Sequence, residues 1–535
     1  MPGKPFNRFK TPPKTQLLIT ASLTALWAGW MLLPADSVSQ RAIDADLKAR
    51  WGASDLALPP DPVILEQMRD AYELRQRREY TRTLDAIDPG EQYEDAVLDQ
   101  GAIDARKLGK EALFAVGDDL FELMFRPEYG LGNGLGGRKG VDAGKRPAPN
   151  HRRVQAGQFG GPDAYSCAGC HSLGGLDGAG AQTQAAYLGS DGQSVAKADV
   201  RNPPHLLGLG PVERLAVEMT AELHALRDQA LALAQKNGRP VRQKLTAKGV
   251  AFGMITAAPD GTLDTAAVKG VNADLIVRPF GWKGHSVNLR EMTREAFRMH
   301  MGIVSHVEEE WLRQGRLSPR DYGDGDKFDI DNDGVRTELE DGMITTMVAY
   351  LSQLEIPSVR PPHEPAQLER FVRGQAVFEE VGCASCHRPE LPLTDPSLVT
   401  GPESEVFAAS PSVTFDVVHD GEHPKPETRR HLKTTYAVPL YSDLKRHDMG
   451  PKLASPRPFA GIPATHFLTR PLWGLADTAP YMHDGRAATL DEAILAHGGD
   501  AEPSRKGYRA LKEDDKRALR LFLASLTREQ RVLIP

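Results

Sequence analysis

The chain has 535 residues, 40% of them apolar, 26% charged and 7% aromatic, which excludes the disordered, collagen-like and polytopic membrane classes. Its length suggests about three or four domains. With 65 basic and 72 acidic residues the formal charge is −7, and no basic stripe suits a phosphate backbone, so nucleic acid is not an expected partner.

At the N-terminus, Lys4, Arg8, Lys10 and Lys14 precede an uncharged apolar run from Leu17 to Leu33. Positive charge stays inside, which places the rest of the chain outside the membrane. Cleavage after Ala35 would put Leu33 where a small residue is needed, so residues 1–36 read as a retained signal anchor, with a cleaved signal peptide as the alternative. Residues 37–108 are charged, with helical spacing in stretches such as Pro62 to Arg75, and read as an extension between membrane and body. Gly130 to Gly161 is a glycine-rich basic loop.

All four cysteines fall in two copies of one pattern, Cys167-Ala-Gly-Cys170-His171 and Cys383-Ala-Ser-Cys386-His387. C-x-x-C-H is the haem c attachment signature: two thiols add to the haem vinyl groups and the adjacent histidine meets the iron. A thioredoxin-like C-x-x-C needs no following histidine. Zinc-ribbon pairs lie far closer together than these, which are more than 200 residues apart. Two covalent haems c are therefore expected. Haem c is attached outside the bacterial cytoplasmic membrane, which agrees with the N-terminus and points to the periplasmic side of the inner membrane.

After the first motif, Val212 to Gln235 has a helical period, and Val241 to Val277 carries short β-prone runs with an Asp260-Gly261 turn, predicting a small hairpin insert. An apolar helix is expected far downstream of each motif, at Met343–Leu354 and Ala518–Leu526. The order of motif, loop and closing helix thus occurs twice. Arg201-Asn-Pro-Pro-His-Leu-Leu-Gly-Leu parallels Arg470-Pro-Leu-Trp-Gly-Leu, and Phe280 to Gly284 parallels Tyr481 to Gly485. His300 then matches His497 after a four-residue insertion, about one helical turn, which would leave both on nearly the same face. The duplication gives a first haem domain at 109–356, including the β insert, and a second at 357–535.

Asp329, Asp331, Asp333, Val335, Thr337 and Glu340 occupy the ligand positions of an EF-hand-like loop, with Gly334 at its sharp turn. Calcium there would order the approach to the linker around Pro357 to Pro365; an acidic turn without an ion is the alternative.

Tyr441-Ser-Asp-Leu-Lys-Arg-His447-Asp-Met-Gly, Arg470-Pro-Leu-Trp-Gly-Leu, Ala479-Pro-Tyr-Met-His483-Asp-Gly-Arg-Ala and Glu492-Ala-Ile-Leu-Ala-His497-Gly-Gly resemble the di-haem oxidoreductases. These are peroxidase-like or thiol-oxidoreductase-like relatives of the bacterial di-haem cytochrome c peroxidases. The resemblance covers about residues 109–535. It implies a mainly α fold of two cytochrome c-like haem domains, to which the residues themselves add the small β insert and the N-terminal membrane anchor. It also implies His387 and His497 as the two axial ligands of the second haem, since His497 stands where the peroxidases carry methionine. Near the first haem, His300 takes the place of an acidic residue, followed by Met301; it could move a proton between peroxide oxygens or bind the iron. Tyr187 stands where relatives carry a histidine, which makes His205 a second candidate sixth ligand. Trp282 matches a tryptophan that passes electrons between haems, unless it is an ordinary buried Trp, and His447 and His483 match supporting positions.

The function this implies is electron transfer from a small donor protein or quinol-linked chain to hydrogen peroxide. A membrane-tethered relay without a substrate site, and an oxidant of a partner protein, are the alternatives.

Overall fold

The computed structural model describes residues 96–126, 129–131, 154–155, 158–159, 164–175, 177–180, 185–187, 199–315, 338–357, 359–422, 425 and 435–528. All fall within one compact unit, Thr83–Glu529. Among the described residues no helix is long and apolar enough to cross a membrane, and the run Leu17–Leu33 lies outside them.

Helix α1 (Gln100–Arg106) starts where the Asp99 carboxylate accepts the Ala102 N–H, and α2 (Lys110–Glu122) follows. Four short strands, β1 (Val154–Gln155), β2 (Gln158–Phe159), β3 (Ala185–Tyr187) and β4 (Asp199–Arg201), pair as β1–β2 and β3–β4 around the first cysteine motif. Helix α3 (Leu209–Asn237) begins and ends on Gly208 and Gly238, both left-handed, a conformation in which glycine carries no Cβ penalty.

The β insert is larger than the expected hairpin: β5 (Val241–Ala247), β6 (Val250–Ala257) and β7 (Leu263–Asp264) form a three-stranded antiparallel sheet. Its first turn is Lys248-Gly249, both at positive φ, the two-residue geometry whose twist matches a hairpin. Asp260-Gly261 forms the second turn. A lysine at the first left-handed position hides that turn from a sequence reading.

Helix α4 (Leu289–Ala296) runs into a π-helical turn, Phe297–Met301, closed by Gly302 at φ 75°. Helices α5 (His306–Arg313) and α6 (Asp341–Ser352) complete the first half, and every residue of α6 is buried, as a helix apolar on all sides must be. In the second half, α7 (Pro365–Glu380) leads into the second motif. Strands β8 (Leu391–Leu393), β9 (Ser397–Thr400), β10 (Val413–Asp416), β11 (Tyr436–Val438), β12 (Arg446–Asp448) and β13 (His466–Leu468) pair as β8–β11, β9–β10 and β12–β13. Helices α8 (Leu490–Ala496), α9 (Glu502–Ala510) and α10 (Glu513–Ala524) close the chain. The fold is thus helical with small sheets, as a cytochrome c-like protein should be.

The internal repeat is visible in packing. In the first half α2 crosses α6, where a Cβ on Gly117 would collide with the Thr346 carbonyl and lie 2.7 Å from Tyr350 Cβ. In the second half α7 crosses α10, where a Cβ on Gly374 would collide with the Ala518 carbonyl and lie 2.8 Å from Phe522 Cβ. Each crossing also carries an aromatic pair at 5.3 Å, Phe121–Tyr350 and Phe378–Phe522. The closing helices stand where expected, each beginning earlier than its apolar run. The larger core extends from Ala96 to Trp473, so both halves contribute to one interior.

Candidate haem-binding sites

In the second half, α7 ends at Gly382, whose φ of 83° turns the chain into a short 3-10 segment, Cys383–Ser385. The His387 N–H donates to the Cys383 carbonyl at 2.9 Å, so both cysteines and the histidine share one turn. The His387 Nδ1 donates to the Tyr441 carbonyl at 2.9 Å, and the Tyr441 ring packs 5.8 Å from Phe522 of α10. The helix crossing therefore orients the imidazole through Tyr441.

His497 caps the C-terminus of α8, which starts in a capping box of Thr489 and Glu492. Its Nδ1 donates to the Ala493 carbonyl at 2.7 Å. With both Nδ1 atoms engaged, each ring turns its Nε2 outward, the usual arrangement of a metal-binding histidine held by a backbone partner. The ring centres lie 6.4 Å apart. A metal–imidazole bond of about 2 Å on each side, plus about 1 Å from nitrogen to ring centre, requires about 6 Å. These residues fit a bis-histidine haem iron. Burial pushes His387 down to about 4, with the neighbouring His497 adding to it, and burial also lowers His497, so both rings are neutral and able to ligate.

Beside this site, the His447 Nε2 lies 2.8 Å from Asp443 Oδ2 and its Nδ1 3.9 Å from Cys386 Sγ. Burial works against the charge on His447, but Asp443 and the free Cys386 thiol together outweigh it and raise the group, the Cys386 share being one that a haem-bound thioether does not supply. Cys386, Asp443 and His447 form the one cluster of metal-capable atoms among the described residues, and its cysteine belongs to the haem motif.

The first half repeats the turn: the His171 N–H donates to the Cys167 carbonyl at 3.0 Å, and the Ala168 N–H ties the motif to the Phe121 carbonyl at the end of α2. The His171 Nδ1 lies 3.3 Å from the Gly178 carbonyl, and burial lowers the imidazole to about 4. One residue before Gly178, Asp177 accepts the Tyr350 hydroxyl at 2.6 Å, which anchors this loop to α6.

His300 and His205 both lie within electrostatic reach of His171, so the structure brings the three histidines into one region. His300 sits on the π-helical turn, its carbonyl accepting the Ala164 N–H, with Met301 buried beside it. The four-residue insertion is therefore taken up by a π turn and not as one further α-helical turn, a device frequent at functional sites. His205 is buried, its Nε2 3.5 Å from the Pro471 carbonyl and its Nδ1 without a partner among the described residues. Tyr187 lies in β3, paired with Asp199.

Trp282 joins the halves: its indole N–H donates to the Asn202 carbonyl at 2.7 Å, and its own carbonyl accepts the Leu468 N–H at 3.0 Å. The His483 ring stands 6.5 Å away. Next to it, the buried Lys283 ammonium donates to the Ala464 and His466 carbonyls at 2.6 and 2.9 Å, pinning the Phe280–Gly284 turn to the second half. Arg470 lies 5.8 Å from the Trp282 ring. The sequence offered Arg470 only as the start of a motif, with no role, and gave no sign of Asp177 or Tyr350; the carbonyls of Gly178 and Tyr441 leave no mark in a sequence at all. In the calcium loop, Asp329, Asp331, Asp333, Val335 and Thr337 lie outside the described residues, while Glu340 is the residue before α6.

A family model described as "Di-haem oxidoreductase, putative peroxidase" matches residues 264–526. That span contains Trp282, His300, the second motif and His497, and it begins after the first motif and His205. Among solved structures, the hydrazine synthase of Kuenenia stuttgartiensis, pressurised with xenon, is 19% identical over 35% of this chain, with a TM-score of 0.22. The match spans 56% of that neighbour's length. A MauG-like protein associated with microbial copper homeostasis is 16% identical over 60% of this chain and 89% of its own, with a TM-score of 0.26. No curated protein matches the chain. Over residues 264–526, the chain matches the di-haem oxidoreductase family.

Proposed function

We propose that the protein is a di-haem c-type oxidoreductase of the peroxidase kind, acting on the periplasmic side of the bacterial inner membrane. It passes electrons from a small donor protein or a quinol-linked chain to hydrogen peroxide. Cys167 and Cys170 would hold one haem, with His171 on its iron; Cys383 and Cys386 would hold the other, between His387 and His497. When bound, the haem irons supply the redox chemistry.

The observation that carries this reading is the pair of neutral imidazoles of His387 and His497, facing one another at 6.4 Å. They make the second site a closed, electron-transferring one. The first site then takes the substrate. There His300, on its π turn, is the group to take a proton from one peroxide oxygen and deliver it to the other, next to the buried Met301. Trp282 would connect the two sites, a role supported by its hydrogen bond to the Asn202 carbonyl and the nearby His483 ring. Calcium at Asp329 to Glu340 belongs to the same proposal, supported by the sequence fit, and would hold the chain entering α6.

The test is steady-state peroxide consumption by the purified protein supplied with a reduced donor, in wild type and in His300→Gln. Wild-type turnover and a loss of about 10²–10⁴-fold in the variant are expected for a proton-moving group. The unpartnered Nδ1 of buried His205 favours a second reading, an electron relay with both irons closed. Absence of any peroxide consumption by the wild type, with both haems present, would establish that reading instead.

A further inference from the structure

Arg470 is a cation enclosed by protein without an anion. Its guanidinium makes no hydrogen bond and no ion pair among the described residues, and its Nε is buried without a partner. Its one ring contact is with Trp282, at 5.8 Å. Burial alone shifts it, down to about 10, and no carboxylate counters that effect. Arginine is among the residues least often buried unpaired, because taking an uncompensated guanidinium out of water is strongly unfavourable.

Its counterpart in the repeat behaves differently. Arg201 is ion-paired with Asp199 and also donates to the Val200 carbonyl and to Ser455 Oγ at 2.9 and 3.2 Å. Arg201 of the first half thus reaches Ser455 of the second half, whereas Arg470 of the second half lies within electrostatic reach of His171 and His205 of the first. Two arginines at equivalent places cross between the halves, and one of them has its acid built into the chain.

We infer that Arg470 receives a haem propionate: its guanidinium is the carboxylate-binding group for the haem carried by Cys167, Cys170 and His171. The fit is chemical as well as electrostatic. A guanidinium offers a planar fork of donors that matches a carboxylate, and the cofactor implied at His171 brings carboxylates of its own. This inference rests on the di-haem reading and adds to it a positioning residue that presses the propionate edge of the first haem against Trp282, the side chain joining the two halves.

The experiment compares wild type with Arg470→Gln and Arg470→Lys in the full-length holoprotein. Haem content and the spectrum of the second haem come first: fewer than two covalent haems per chain would refute the di-haem reading itself. With two haems present, the readouts are the resonance Raman propionate-bending band and a redox titration resolved by haem. Removing the positive charge in Arg470→Gln should lower the potential of the first haem alone. Arg470→Lys, which keeps the charge but loses the fork, should keep the potential near wild type and still move the propionate band. If Arg470→Gln does not fold, the lysine variant decides by the same band. A propionate band unmoved in Arg470→Lys, or a shift confined to the second haem, would overturn the inference.

Discussion

At the scale of single residues, His497 matters through two atoms: its Nδ1 is tied to Ala493, which leaves the Nε2 for a metal. Replacing it by methionine should keep the second haem low-spin but raise its potential by on the order of 100 mV, a fraction of the roughly 0.8 V that axial ligands span. His497→Ala should turn the same haem high-spin. Redox titration and optical spectra of the two variants check both outcomes, and unchanged spectra in His497→Ala would remove the residue from the iron. This candidate ligand could be picked out by a count along the chain, because the family motif fixes its distance from His483. The partners that orient the histidines were not. A backbone carbonyl such as that of Tyr441 or Gly178 has no residue type to betray it, and Arg470 stands out only once the absence of an acid around it can be seen in three dimensions.

At the scale of elements, the helix crossings and the helix bearing His300 carry the structure's demands. Gly117 and Gly374 let α2 meet α6 and α7 meet α10 backbone to side chain. Gly117→Ala and Gly374→Ala should each cost about 1–3 kcal/mol by forcing the helices apart, measured by denaturant unfolding. Gly374→Ala should disturb the spectrum of the second haem and Gly117→Ala that of the first, because Tyr441 and the Phe121 carbonyl transmit each crossing to its motif. Helix α4 is tethered by Glu295, whose Oε2 lies 2.8 Å from His285 Nε2 and accepts the Ser286 hydroxyl at 2.9 Å. Burial alone would raise this carboxyl, but His285, Arg298 and Ser286 outweigh it and hold the group at about 2. A depressed carboxyl stabilises the fold fully above its ordinary value and loses that contribution as the pH falls from about 4.5 towards 2. The loss should be of the order of 2 kcal/mol. Unfolding midpoints at pH 5 and pH 3 should therefore diverge more in wild type than in Glu295→Gln; equal divergence would assign the acid limb elsewhere. The apolar runs showed the closing helices α6 and α10 in the sequence, but not their partners α2 and α7, nor the π turn at Phe297–Met301, because an insertion of four reads as a complete α-helical turn and nothing in the residue types distinguishes the wider one.

For the whole molecule, a duplicated plan ends in two unlike sites. Both halves share the glycine crossing, the cysteine turn and a carbonyl-held histidine. The second half then brings the His497 ring within 6.4 Å of the His387 ring, whereas the first gathers His300, His205 and Arg470 near His171. The duplication could be read from paired motifs because chemistry constrains them at fixed spacing. The single interior shared by the halves could not, since Lys283 and Trp282 join the halves through backbone carbonyls and amides far apart in sequence.

The most direct test of this asymmetry is electron paramagnetic resonance, with optical spectra, on the full-length protein, fully oxidised and then half-reduced, each with and without hydrogen peroxide. The expected result is a low-spin signal from the site of His387 and His497, together with a high-spin ferric signal from the site of His171 that changes when peroxide is added. Two low-spin signals in both states, unmoved by peroxide, would contradict an open first site and leave the protein an electron relay.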